Sequence, residues 1–376
     1  MLAALRSQEA AMSRFVLRRI LTAIAITCAA VTALPLAHAR HSESSIIYTI
    51  SNAAAGNELL AFRQGSNGTL TPLASHATGG LGSGSGLGNQ GAVVSDGEHI
   101  FVVNPGSDDL SVFRVRKSGV RLVDTIASGG VRPISVTVHH DLVYVLNAGS
   151  DSIAGFRLGK NGRLRVLSGS EQPLSGTGTD PAQIQFSADG DTVIVTEKAT
   201  NNIVLYSLGH RGVPEARSVV PSVGQTPFGF ALAKGRLVIV SEAAGGATNA
   251  SSVSSYWLGR DGDLRVIDAT DPTLQSAACW VVVTRDGRFA YVTNTGSNSV
   301  SGFRIFAGHL FRLNRDGITA TTGAAPIDMA LSRGVLHVLN SGDHTISSFR
   351  VLKNGQLARI GEVVGLPDAA TGLLAL

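Results

Sequence analysis

Cysteine is nearly missing from this 376-residue chain, which has only Cys28 and Cys279. Charged residues make up 15% and aromatics 5%. With so few thiols, a disulfide framework cannot hold the fold together. No Cys-x-x-Cys-His run occurs, which removes a covalently attached c-type haem. The sequence also has no long amphipathic helical stretch. The run Gly79–Gly88 contains several glycines, but neither the Lys-Ser/Thr nor the following helix of a phosphate-binding loop. It reads instead as a mobile rim loop. His139 and His140 form the only close histidine pair, and neighbours on a strand point to opposite faces, which makes a poor metal clamp. No metal and no cofactor is expected.

The chain does contain 44 glycines and short runs of Val, Ile and Thr, a mixture suited to many short strands joined by tight turns. Its first 39 residues read separately, as an upstream extension and a cleaved export signal. Arg14, Arg18 and Arg19 precede the apolar run Ile20–Leu36, and Ala37-His38-Ala39 places small residues at the cleavage site. The run is short for a membrane span, so the mature protein, expected from Arg40, is read as secreted or periplasmic with no stable span. Removal of Arg6, Arg14, Arg18, Arg19 and Glu9 from 31 basic and 27 acidic residues brings the charges close to balance. The pI of about 9.3 then gives no support to nucleic-acid binding, which needs clustered basic charge. Cys279 is left as the lone thiol, and it reads as a small buried hydrophobe.

The strongest signal is an internal repeat. IFVVNPGSDDLSVFRV from Ile100, VYVLNAGSDSIAGFRL from Val143, AYVTNTGSNSVSGFRI from Ala290 and LHVLNSGDHTISSFRV from Leu336 align almost residue for residue. Looser copies begin at Ile46, Val193 and Leu237. The seven copies recur at roughly 43 to 54 residues, the spacing of propeller blades. In each copy an apolar strand leads through a turn to an alternating strand. A hairpin turn such as Asn161-Gly162 or Asn354-Gly355 follows, then an outer strand. The next inner strand is often opened by Pro, as at Pro133, Pro181 and Pro326. Four antiparallel strands make one blade. The first copy has no inner strand before it, and the chain ends in an unpaired one, Thr371–Leu376. The two halves predict an all-β, seven-bladed β-propeller over residues 40–376, closed by pairing the C-terminal inner strand with N-terminal strands.

In such a meander the inner-to-second and third-to-outer turns share one face and are tight. The long connections, Thr78–Gly91, Ser168–Pro181, Ala243–Ser251 and Ala269–Ala278, share the other. Function is expected on this long-loop face, around the channel mouth. Inner-strand residues Gln183, Phe228, Trp280 and Asp328 are expected to line the approach. Second strands end in Asn at 52, 104, 147, 294 and 340, but in Glu197 and Glu242 in two neighbouring blades. These two acids are the candidate catalytic residues, with Glu197 as the candidate base.

The YV-x-N-x-G-S-x-S-V core and the S-x-D-G turn resemble the lactonase-type seven-bladed propellers, the group of 6-phosphogluconolactonase-like and carboxymuconate cyclase-like proteins with YVTN-type repeats. The resemblance covers residues 46–376. It implies a Pro-Arg-His run opening one inner strand, with a Glu ending the second strand of that blade. Here Glu197 matches the Glu, while Ala182 and Gln183 stand where Arg and His are implied. A later Asn-Arg-Gly is Asn294-Thr295-Gly296. Loss of the arginines argues against phosphorylated or dicarboxylate substrates. Two readings stay open. One is an exported enzyme that hydrolyses or isomerises a lactone or related uncharged cyclic molecule at the mouth. The other is a non-catalytic propeller that binds a protein or glycan partner through the long-loop face.

Overall fold

The computed structural model describes residues 45–376, apart from Asp261. The export signal, its cleavage site, the boundary at Arg40 and Cys28 lie outside the described residues. The described chain folds as seven antiparallel sheets arranged as blades. The first blade combines Ile46–Ile50, Glu58–Gln64 and Leu70–Pro72 with the last strand of the chain, Thr371–Ala375. Closure is antiparallel, with Ile47 opposite Ala375, Tyr48 opposite Leu374 and Ile50 opposite Thr371. Ile46 and Leu376 also exchange two main-chain hydrogen bonds of 2.9 Å. The ring is therefore closed by the strand that the repeat left over, and the two free edges of an open array are removed.

The remaining blades follow in chain order. Their inner strands are Val93–Ser95, Pro133–His139, Pro181–Phe186, Pro227–Ala233, Ala278–Val283 and Pro326–Ser332. The scarce aromatics are not scattered. The third strand of every blade carries one at the same repeat position: Phe62, Phe113, Phe156, Tyr206, Tyr256, Phe303 and Phe349, all buried. A side chain of that size fills the wedge between neighbouring sheets and dominates the apolar area buried there. Buried tyrosines also tie blades together. Tyr144 of the third blade donates to the carbonyl of Gly212 in the fourth at 2.7 Å. Tyr291 of the sixth donates to that of Gly355 in the seventh at 2.8 Å.

A second recurring device fixes the long-loop face. A left-handed Asx residue precedes the third strand, and another left-handed residue precedes the next inner strand. The Asx oxygen accepts the amide of the second residue. Asp108 accepts from Arg132 at 2.6 Å, Asn201 from Thr226 at 2.6 Å and Asn298 from Ala325 at 2.9 Å. Asn and Asp tolerate this backbone conformation and bond it locally. One of the long connections is shorter than expected: the fifth blade's outer strand runs through Leu264–Pro272, so ladder pairing claims the first part of Ala269–Ala278.

Candidate functional site

Inner strands face the channel with one edge unpaired, and their exposed main-chain groups need partners. Two polar side chains singled out in the sequence, Gln183 and Asp328, meet that need, and Ser135 joins them. Gln183 accepts from the amide of Phe230 at 2.7 Å and donates to its carbonyl at 3.0 Å, stapling the fourth blade to the fifth. Asp328 accepts from the amides of Met329 at 2.7 Å and Leu373 at 3.0 Å, stapling the seventh blade to the closing strand. Burial pushes the Asp328 carboxyl up to about 8, against the effect of those two amides. Ser135 takes the carbonyl of Gln90 at 2.6 Å and accepts from Ile184.

The channel itself is occupied. The first half of the Gly-rich connection follows the rim, where Asn52 accepts from Ser83 and donates to Ser85. Its end then turns inward. Leu87 and Asn89 are buried, and Asn89 donates to the carbonyl of Ile134. Gln90 reaches across the ring, donating to the carbonyl of Val281 at 2.9 Å and accepting from its amide. The Gln90 amide bonds the carbonyl of Ala182 at 3.0 Å. A segment read from sequence as a rim loop therefore ends as a plug, and it supplies partners to inner strands of three blades.

Above the plug lies an apolar seat. Trp280 is buried, donates through its indole N–H to the carbonyl of Asn89 at 2.6 Å, and packs on Phe228 at 4.8 Å between ring centroids. Cys279 is buried beside them, and burial pushes its thiol up to about 12, so it is not a thiolate near neutral pH. Over the Phe228 ring, 4.9 Å from its centroid, sits the ammonium of Lys198. Lys198 donates to the carbonyl of Gly88 at 2.7 Å and pairs with Asp180 at 3.3 Å. Its side chain is 10% exposed, while Asp180 is 58% exposed. Burial pulls the ammonium down from its ordinary range, and Asp180 opposes that pull. The sequence reading missed Lys198. Its one local signal was its place directly after Glu197, and its partners lie 18 and 110 positions away, the latter given by its contact with Gly88.

The two glutamates lie further out, at the corners where second strands end. Both are fully buried. Glu197 accepts from the Ser175 amide at 2.8 Å, from the Ser175 hydroxyl, and from Thr200 at 2.6 Å. Its oxygens thus hold the connection Ser168–Pro181 in place. Glu242 accepts from Ser252 at 2.6 Å, and its other oxygen has no partner among the described residues. Burial, its largest influence, pushes the Glu242 carboxyl up to about 7. Of the six side chains singled out in the sequence, Phe228 and Trp280 meet at the mouth with Lys198. Gln183 and Asp328 are committed to the inner strands, and the two glutamates to the corners. Among the described residues no group of three or more His, Cys, Asp or Glu is placed to hold a metal ion. Nor, among the described residues, is any helix long and apolar enough to cross a membrane.

The family model described as "Lactonase, 7-bladed beta-propeller" matches residues 41–173, 95–253 and 249–371. The chain belongs to this family. Solved structures agree on the fold at low identity. A candidate 6-phosphogluconolactonase from Bacteroides fragilis superposes with a TM-score of 0.72 at 18% identity, covering 89% of this chain and 99% of that one. The periplasmic gluconolactonase of Pseudomonas aeruginosa gives 0.70 at 18% identity, with 87% and 98% covered. A protein from Lactobacillus plantarum gives 0.73 at 17%, with 89% and 99% covered. No curated protein matches the chain.

Proposed function

We propose that this lactonase-family propeller hydrolyses a neutral cyclic ester at the long-loop mouth of its channel. The observation that carries the reading is the Lys198–Asp180 pair above Phe228. It supplies a cation and a carboxylate beside Pro181-Ala182-Gln183, the segment from which the implied arginine and histidine are missing, since Pro181 pairs with Glu197 in the ladder. In this reading a lactone docks against the Lys198–Asp180 pair from the side of the more exposed Asp180. Asp180 takes a proton from a water molecule as its oxygen attacks the lactone carbonyl carbon. Lys198 donates to the oxygen that gains negative charge. Collapse breaks the ring C–O bond, the leaving oxygen takes the proton back, and a hydroxy acid results. Membership in the lactonase family and the gluconolactonase named among the similar structures support the substrate class. The basic, apolar and Ala-x-Ala order of residues 14–39 supports action outside the cytoplasm, as a mature chain beginning at Arg40.

The test is pH-stat hydrolysis of a panel of neutral lactones and esters by the purified protein, Lys198→Met and Asp180→Asn. Each variant is expected to lose about a hundredfold or more in kcat/KM with little change in Tm. Equal activity in the variants would overturn the assignment. A second reading, a non-catalytic propeller that binds a protein or glycan partner through this face, is favoured by the plug at Leu87–Gly91, whose Asn89 and Gln90 are bonded to the inner strands. Inactivity of the parent protein on the whole panel would select it. N-terminal sequencing of the exported form tests the start at Arg40.

A further inference from the structure

On the opposite, short-turn face a recess of about 740 Å³ opens between the sixth and seventh blades, next to the closing strand. That volume suits a small-molecule ligand. Two of its cations, Arg285 and Arg288, come from the inner-to-second turn of the sixth blade. Arg333 comes from the corresponding turn of the seventh, and Lys353 from that blade's third-to-outer turn. Arg288 is paired with Asp286 at 2.6 Å. The Asp286 carboxyl is held down to about 2 by the Thr284 hydroxyl and by Arg288, so that pair is neutral overall. Arg285, Arg333 and Lys353 have no ion-pair partner among the described residues. The rim also includes Leu376, the last residue, whose terminal carboxylate accepts from Ile46 at 2.9 Å and from Ser45 at 2.5 Å.

The walls are apolar. Phe289 is buried at 5% exposure, and Leu331 and Val351 complete the lining beside it. Arg285, Arg333 and Lys353, three cations against the one terminal carboxylate of Leu376, leave the recess two positive charges in excess, which suits a dianion better than a single charge. Guanidinium forks match the paired oxygens of phosphate and carboxylate. The apolar walls would take a ring-sized body attached to the charged group.

We propose that this recess binds a small organic dianion, a phosphate monoester or a dicarboxylate, carried on an apolar body. The site lies on the face opposite Lys198 and does not depend on the hydrolase reading. Calorimetric titration of the purified protein tests it with phenyl phosphate, phthalate, inorganic phosphate and benzyl alcohol, alongside the Arg333→Ala/Lys353→Ala double variant. Both substituted residues are exposed turn residues, and the variant's Tm confirms that it folds. Saturable binding of phenyl phosphate or phthalate is expected, about tenfold or more tighter than inorganic phosphate and weakened at least as much in the double variant. Whether phenyl phosphate or phthalate binds more tightly identifies the charged group. Three outcomes would each overturn the proposal: no saturable binding of either dianion, inorganic phosphate binding as tightly as phenyl phosphate, or full affinity in the double variant.

Discussion

Glu197 and Glu242 occupy the same place in adjacent blades and are equally buried, yet their surroundings differ. In the five other blades the position is Asn, whose amide can donate. Asn294 donates to Ser299 and Ser301, and Asn340 donates to Thr345 and Ser347. At Glu197 the neighbours supply donors instead, two from Ser175 and one from Thr200. At Glu242 the neighbourhood still resembles an Asn corner, since Ser252 stands opposite it in the ladder as Ser299 stands opposite Asn294. The comparison teaches that equal burial does not mean equal satisfaction: the donors aimed at Glu197 occupy both of its oxygens, whereas one oxygen of Glu242 is left without a partner among the described residues.

The largest expected effect comes from removing the better-served acid. Glu197→Ala leaves the Ser175 and Thr200 donors without their acceptor and should cost about 3 kcal/mol, measured by denaturant unfolding. A cost below about 1 kcal/mol would mean that water replaces the carboxylate readily and that the two corners are alike. Glu197→Gln should cost less, about 1–2 kcal/mol, because its amide group turns an NH₂ toward groups that donate.

The sign should reverse at the other corner. Glu242→Gln offers Ser252 the donor that Asn offers elsewhere, and near pH 8 it should stabilise by about 1 kcal/mol. The gain should depend on pH. The Glu242 carboxyl rises from an ordinary 4.5 to about 7 in the fold, so the native state binds its proton more tightly than the unfolded chain between those values. Its contribution to stability is fully present below about 4.5 and lost as pH rises to about 7. Asp328, raised from 3.8 to about 8, adds a slope of the same sign. Calorimetric Tm values at pH 5 and pH 8 should therefore show Glu242→Gln gaining more at pH 8. An equal gain at both pH values would refute a raised carboxyl. The smallest effect expected is that of Ser252→Ala, about 0.5 kcal/mol near neutral pH, against about 1.5 kcal/mol for Thr200→Ala beside Glu197.

The propeller was legible because each blade repeats the same local rules. The Asn-Gly hairpins, the alternating third strands and the aromatic at 62, 113, 156, 206, 256, 303 and 349 appear in order along the chain. The corner glutamates also stood out locally, as departures from a repeated Asn. What they do there was not legible, because Ser175 is 22 positions from Glu197 and nothing in its own segment marks it as a partner. The same holds at the mouth. Trp280 and Asn89 are 191 positions apart, and so are Gln90 and Val281, whose bonds cross the channel.

The sequence by itself determined the number of blades, the strand that closes the ring, the two faces and the family resemblance. Those depend on periods and turn residues that act over a few positions. Only the tertiary structure decided which polar side chains are committed to the inner strands and which remain at the mouth. An unpaired strand edge must find partners wherever the closed ring brings them, and the ring sets residues far apart in sequence against each other. Trp280 came to donate to Asn89, and Gln90 to Val281, in this way, while the packing of consecutive blades put Lys198 over Phe228 and set Arg333 and Lys353 in one recess with Arg285.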